Sequence, residues 1–192
     1  MKLINSADRF FVAGANGMAG SAITRALTKH GYGEKAKNGA ILKPKRDELD
    51  LLDKAAVNTW MNSKKPDIVI LAAAKVGGIV ANNEQRTQFL IENLRINTNI
   101  LESCIPLNNI KIINLGSSCI YPLNAKNPIS EDEFMNGKLE PTNSPYAMAK
   151  LTAIELGNAM KEQYGHKVIN LMPTNLYGPN DNYSLKTISK FI

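Results

Sequence analysis

Apolar residues along this chain fall into short unbroken runs separated by stretches with helical spacing, an alternation that predicts an α/β protein. Residues 9–15, Arg-Phe-Phe-Val-Ala-Gly-Ala, read as a strand buried on both faces. The following stretch has apolar residues at 22, 23, 26 and 27, one face of a helix. A short second strand is expected at 40–43. A helix is expected at about 54–62, with Asp53 as its N-cap. Residues 67–74, Asp-Ile-Val-Ile-Leu-Ala-Ala-Ala, form the clearest buried strand, and 75–83 reads as a flexible glycine-bearing loop. A long helix at 83–104 and a fourth strand at 110–115 follow. After an irregular polar stretch at 122–142, Ser144-Pro145 starts a helix that runs to about 164, and a fifth strand covers 168–173. The pattern is that of a doubly wound parallel sheet in one domain.

Composition narrows the function classes. With 192 residues, 44% hydrophobic and 21% charged, the chain has the balance of a soluble globular domain. Its net charge of +6 favours an anionic ligand, with solvated surface lysines as the plainer source. The charges are dispersed and aromatics make up only 6%, which argues against nucleic acid. Two cysteines, Cys104 and Cys119, are too few for a disulfide framework or a metal cluster, so no disulfide and no metal are expected. The N-terminal residues turn polar at once, and no apolar run reaches the length of a membrane span. A cytoplasmic protein without a membrane partner is the expectation.

The first strand runs into Gly14-Ala15-Asn16-Gly17-Met18-Ala19-Gly20 and then a helix, the context of a nucleotide-binding turn. Gly14 suits the tight turn, Gly17 lets backbone approach a pyrophosphate, and Gly20 lets the helix pack closely; the free amides of the helix start would meet the negative charge. The spacing G-x-x-G-x-x-G departs from the simplest dinucleotide fingerprint, which leaves an ordinary glycine-rich turn as the alternative. After the second strand, where an NAD-selecting fold carries an acid for the ribose 2′-hydroxyl, stands Lys43-Pro44-Lys45-Arg46. Arg46, with Lys43 or Lys45, would pair with a 2′-phosphate, so the cofactor expected is NADP(H); a solvent-facing basic loop is the alternative. Ala72-Ala73-Ala74 are small enough for a cofactor to lie against the backbone. Cys104 reads as a packed, unreactive thiol.

Ser117, with Tyr146 and Lys150 in a Tyr-x-x-x-Lys pair, resembles the extended short-chain dehydrogenase/reductase superfamily. The resemblance tightens at Ala72-Ala73-Ala74-Lys75-Val76-Gly77-Gly78-Ile79, Gly116-Ser117-Ser118-Cys119-Ile120-Tyr121-Pro122, Glu140-Pro141-Thr142-Asn143 and Met172-Pro173-Thr174-Asn175-Leu176-Tyr177-Gly178-Pro179. Together these are similar to the GDP-L-fucose synthase family. That resemblance implies NADPH-dependent epimerisation at C3 and C5, and reduction at C4, of GDP-4-keto-6-deoxy-D-mannose. It implies catalytic roles for Ser117, Cys119, Tyr146 and Lys150. It further implies cofactor contacts from Gly14, Asn16, Gly17, Met18, Gly20, Arg46, Ala72, Ala73, Ala74, Lys150, Pro173, Asn175 and Leu176. Tyr146 and Lys150 lie one helical turn apart, so an ammonium beside the phenol is expected to lower the tyrosine pKa and make it a usable acid for the ketone oxygen, with Ser117 bonded to the same oxygen. Cys119 would be one of the two acid/base groups that inversion at C3 and C5 requires; a small buried residue is the alternative.

The family pattern implies a strand order 3-2-1-4-5 and a homodimer through helices 83–104 and 145–164. It divides the chain into an NADP-binding Rossmann domain at 1–182 and a divergent tail at 183–192, without the C-terminal substrate domain. The family's catalytic histidine falls at Ser189 by ungapped count, and neither His30 nor His166 matches it. Strand five is then an open edge beside uncovered apolar surface, which predicts self-association. Two rivals stand beside this reading: a non-catalytic NADP-binding remnant or partner subunit, and another sugar-nucleotide reductase or epimerase, against which Cys119 argues because a simple C4 epimerase has no need of that acid/base group.

Overall fold

The computed structural model describes residues 4–181. Its elements, in order, are β1 (Arg9–Ala13), α1 (Met18–Lys29), β2 (Ala40–Leu42), α2 (Lys54–Lys64), β3 (Ile68–Leu71), α3 (Ile79–Glu84), α4 (Arg86–Cys104), β4 (Lys111–Leu115), α5 (Ser144–Tyr164) and β5 (Lys167–Leu171), with single 3₁₀ turns at Lys35–Lys37, Ser118–Ile120 and Glu131–Glu133. All strand pairs are parallel. Phe10 sits opposite both Ile41 and Ile68, Ile70 opposite Ile113, and Asn114 opposite Asn170.

Successive residues of a strand face opposite sides of the sheet, so the apolar runs feed two cores. Phe11, Val69, Leu71 and Ile112 pack against Val57 and Met61 of α2, Ile100 and Leu101 of α4, and Ala153 and Met160 of α5. On the other face Phe10, Val12, Ile68 and Ile70 meet Ile23 and Leu27 of α1. Helices therefore cover both faces, the doubly wound class read from the sequence.

Counted along the chain, however, the sheet order is 2-1-3-4-5 and not 3-2-1-4-5. A strand outside β2 would have to come from residues 43–53, and these turn instead. The Glu48 carboxylate accepts the Lys45 N–H at 2.8 Å, and Asp50 accepts the Leu52 N–H at 3.0 Å. Asp53 then caps α2 by accepting the Ala56 N–H at 3.0 Å, and the chain crosses to the far side of β1. Among the described residues β5 is the outer strand beyond β4. Val168 and Asn170 face α5, whereas Ile169 and Leu171 on the opposite face are 52% and 45% exposed.

The helix expected at 83–104 is two helices. α3 occupies part of the stretch read as a flexible loop, and Gln85, at φ −116° and ψ 38°, breaks it from α4. Asn82 holds this corner by donating to the carbonyls of Gly77 and Gly78 at 2.9 and 3.1 Å. The remaining elements lie within two residues of expectation, apart from the earlier start of α1 at Met18 and the end of β3 at Leu71, three residues short of the expected Ala74. The tail 183–192, with the Ser189 position, lies outside the described residues.

Candidate functional site

A cavity of about 950 Å³ opens at the carboxyl ends of the strands, where doubly wound sheets bind ligands. Its floor begins with the glycine turn. Gly14 takes φ +80°, and a Cβ there would stand 2.7 Å from the backbone of Ala73, so the β1 turn is wedged against the end of β3. The Gly17 N–H donates to the Gly14 carbonyl at 3.0 Å, and Gly17 itself is the N-cap of α1, without a side-chain cap. The amides of the first turn of α1 are thus left to a ligand. Gly14, Asn16, Gly17 and Met18 line the cavity, whereas Gly20 lies behind it, packed on the Gly14 carbonyl. Its contribution is to let α1 close onto its own turn.

Ala72, Ala73 and Ala74 form one wall, and the loop behind them is fixed by Asn93. The Asn93 carbonyl oxygen accepts the Lys75 N–H at 2.8 Å, and its amide donates to the Lys75 carbonyl at 3.0 Å. Lys75 pairs with Glu92 at 2.9 Å and lies over the Phe89 ring. Arg46 lines the cavity from beyond β2, and Pro173, Asn175 and Leu176 line it from beyond β5.

The reactive side chains come from two elements. β4 delivers Gly116, whose N–H donates to the Leu171 carbonyl at 2.7 Å, and then Ser117 in extended backbone. The Ser117 Oγ accepts the Cys119 N–H at 3.3 Å, which starts the Ser118–Ile120 turn and sets Ser117 and Cys119 on the cavity wall. Tyr146 and Lys150 reach the same cavity from α5. The first turn of this helix is anchored by Glu140, which accepts the Thr142 hydroxyl at 2.6 Å and the N–H groups of Thr142 and Asn143 at 3.0 and 2.9 Å. The Thr142 hydroxyl bond is the main cause of a Glu140 pKa below the usual carboxylate range. The Glu140-Pro141-Thr142-Asn143 motif therefore acts as a helix start that places Tyr146.

Lys150 is 2% exposed, and its Nζ donates to the Leu115 carbonyl at 2.6 Å, lying 5.8 Å from the Tyr146 ring centroid. Among the described residues no carboxylate pairs with it. Burial lowers its pKa to about 8. Burial also raises the Tyr146 pKa, with the neighbouring Cys119 as a second cause. The expectation that Lys150 depresses the tyrosine is therefore corrected: desolvation outweighs an ammonium whose bond goes to a backbone carbonyl. The phenol stays protonated at neutral pH and is a proton donor without being an unusually acidic one.

Cys104 is fully buried, its thiol pushed up to about 12 by burial, and both cysteines are free. His30 ends α1 on the surface, and His166 is buried beside the Tyr164 ring with its Nε2 unpaired; neither lines the cavity. Asp50, Leu51, Ile96 and Asn143 also line the cavity and were not picked out by sequence. For Asp50 and Leu51 the available signal was position, just past the second strand.

The model of the NAD dependent epimerase/dehydratase family matches residues 10–192. The chain belongs to that family. Among curated members it is 48% identical over 178 residues to a GDP-L-fucose synthase of Escherichia coli (strain K12), a match covering 93% of this chain and 54% of the relative. Two solved structures of similar proteins carry NADP. One is a GDP-mannoheptose C4 reductase from Campylobacter jejuni, 34% identical at TM-score 0.85 over 93% of this chain and 55% of that one. The other is a GDP-L-fucose synthetase from Naegleria fowleri, 28% identical at TM-score 0.85 over 96% of this chain and 55% of that one. The chain thus spans about half the length of the family members it matches. Among the described residues no helix is long and apolar enough to cross a membrane, and no group of side chains is placed to hold a metal ion.

Proposed function

We propose that this chain is the NADPH-binding and catalytic half of an enzyme that epimerises GDP-4-keto-6-deoxy-D-mannose at C3 and C5 and reduces it at C4 to GDP-L-fucose, working in the cytoplasm. The observation that carries this reading is convergence: Ser117, Cys119, Tyr146 and Lys150 line one cavity whose floor is a glycine turn and a helix N-terminus. The residues present suit the dinucleotide. The glycine turn leaves no room for a side chain at Gly14 or Gly20, Ala72, Ala73 and Ala74 keep the wall low, and Lys150 is a buried cation without an anionic partner among the described residues. Residues 1–182 are the proposed NADP-binding domain and 183–192 a divergent tail.

When bound, NADPH supplies the hydride for C4. Tyr146, protonated at neutral pH, donates its proton to the C4 oxygen as charge collects there, and the Ser117 hydroxyl bonds the same oxygen. Lys150 holds a ribose hydroxyl and keeps positive charge near the phenolate left after proton transfer. Cys119, next to Tyr146, exchanges the protons at C3 and C5 that the C4 carbonyl makes acidic. A second reading, NADPH binding without turnover, is favoured by the placement of both histidines away from the cavity.

The test is NADPH titration followed by assay on the keto sugar in heavy water. Tyr146→Phe is expected to lower turnover about 10²- to 10⁴-fold with little change in NADPH affinity, and Cys119→Ser to stop deuterium entry at C3 and C5. Binding with neither product nor exchange selects the second reading, and no binding overturns both.

We further propose a homodimer through α4 and α5. The two helices lie side by side, joined where the Asn97 amide donates to the Ala149 carbonyl at 3.1 Å, and each carries an exposed apolar side chain, Ile91 at 40% and Met148 at 48%. Ile91→Glu with Met148→Glu is expected to halve the mass in sedimentation equilibrium. A wild-type monomer at micromolar concentration would end this proposal.

A further inference from the structure

Asn143 begins α5 without capping it. An asparagine at a helix start ordinarily accepts an N–H of the first turn, a bond worth about 1 kcal/mol. Here its backbone is already helical, at φ −95° and ψ −5°, and its side chain makes no cap bond. The backbone is nevertheless pinned from both directions. The Glu140 carboxylate accepts the Asn143 N–H at 2.9 Å, and the Asn143 carbonyl accepts the Ala147 N–H at 2.9 Å. Arg86, at the start of α4, holds the same segment by donating from Nη1 to the Pro141 carbonyl at 2.9 Å. A half-buried amide, with donor and acceptor both uncommitted among the described residues, thus stands at a fixed place on the wall of the main cavity.

We propose that the Asn143 amide bonds the hydroxyl on the carbon next to the reacting carbonyl, C3 of the keto sugar, and so selects α-hydroxy ketones over ketones without that hydroxyl. The inference deepens the keto-sugar reading above and rests on it. Asn143, Tyr146 and Lys150 are three and four residues apart, fall within about 60° of one another around α5, and all line the cavity. They form one stripe, with Asn143 about 4.5 Å along the axis from Tyr146 on the side away from Lys150. With the C4 oxygen on Tyr146 and the cofactor ribose on Lys150, the amide therefore meets the sugar beyond C4 and not the dinucleotide. Of the two carbons beside C4, C5 carries only a ring oxygen and a methyl group besides hydrogen, whereas C3 carries a hydroxyl. An amide offers a donor and an acceptor, so it can bond that hydroxyl whichever way its proton turns. Being uncharged, it does so without shifting the protons that Tyr146 and Cys119 use.

The test measures kcat/KM for GDP-4-keto-6-deoxy-D-mannose and for its 3-deoxy counterpart, by NADPH oxidation, in the wild-type chain, Asn143→Ala and Thr142→Val, with NADPH affinity measured alongside. Asn143→Ala is expected to lower kcat/KM for the hydroxylated sugar about 10-fold and to leave the 3-deoxy sugar within about 2-fold, so that the wild-type preference disappears. NADPH affinity within about 2-fold of wild type reports an intact fold. Thr142→Val removes the hydroxyl bond to Glu140 that anchors the helix start, so it should slow both sugars in equal proportion. An Asn143→Ala chain that also slows both in equal proportion would place Asn143 with Thr142 in the helix start and overturn the assignment, as would a wild-type chain that takes both sugars equally well. A wild-type chain that binds NADPH and reduces neither sugar overturns the catalytic reading, and this assignment with it.

Discussion

Gly20→Ala is expected to abolish NADPH binding and to lower the unfolding free energy by about 3 kcal/mol or more. The Cβ it adds would overlap the Gly14 carbonyl oxygen and lie 2.7 Å from the Gly14 carbonyl carbon and 2.9 Å from the Ala15 Cα. All three atoms are backbone, so no rotamer change relieves the contact. Neither can the turn retreat, because Gly14 is already against the backbone of Ala72 and Ala73 and holds φ +80°. The remaining route is for α1 to lift from the sheet, which opens the Ile23 and Leu27 packing and moves the helix N-terminus away from the cavity. Gly31 provides the contrast. Its φ of +73° is left-handed as well, but no atom lies within 4 Å of a Cβ there, so Gly31→Ala bears backbone strain alone, about 1 kcal/mol. Urea denaturation and NADPH titration of the two variants would check the difference. A Gly20→Ala protein with the wild-type midpoint would mean that the turn is looser than this packing allows.

That glycine was legible in the sequence because the requirement is local: strand, turn and helix follow one another within about a dozen residues. The strands were legible for a related reason, since residues such as Ile68–Leu71 are buried on both faces and leave an unbroken apolar run. What depended on distant packing was not. Nothing in the residue types around Gln85 breaks the helical pattern; the break lies in the Gln85 backbone, at φ −116° and ψ 38°. The order of the sheet turned on whether residues 43–53 paired or turned, and their apolar residues, Leu49, Leu51 and Leu52, fit either outcome. The Tyr146 and Lys150 spacing revealed the pair, but the direction of its pKa shifts came from how deeply α5 is buried against the sheet. Asp50 falls in the same class, placed at the cavity by tertiary structure while its sequence neighbours give an ordinary turn signal.

Lys150→Met is expected to raise stability at pH 7 while removing activity. Burial lowers the ammonium pKa from 10.5 to about 8, so at neutral pH the folded state carries a charge its surroundings disfavour, a penalty of about 3 kcal/mol. Methionine removes that penalty and fills similar volume, but it leaves the Leu115 carbonyl without its 2.6 Å donor, which costs about 1–3 kcal/mol. The net gain expected is therefore between about 0 and 2 kcal/mol. The pH dependence identifies the cause. Between pH 8 and 10 the unfolded chain keeps the lysine proton and the folded one sheds it, so wild-type stability rises with pH across this window. Above pH 10 the raised Tyr146 pKa acts in the opposite direction, because the folded state then holds the proton that the unfolded chain loses. In Lys150→Met the rise from pH 8 to 10 should vanish, and urea midpoints at three pH values are enough to see it. The same substitution removes the donor proposed for the ribose hydroxyl, so NADPH affinity should fall about 10-fold or more. A buried cation that weakens the empty domain and strengthens the loaded one is what a binding lysine should be. A variant less stable than wild type at pH 7, with the slope between pH 8 and 10 intact, would assign that slope to another group and make Lys150 a structural donor to β4.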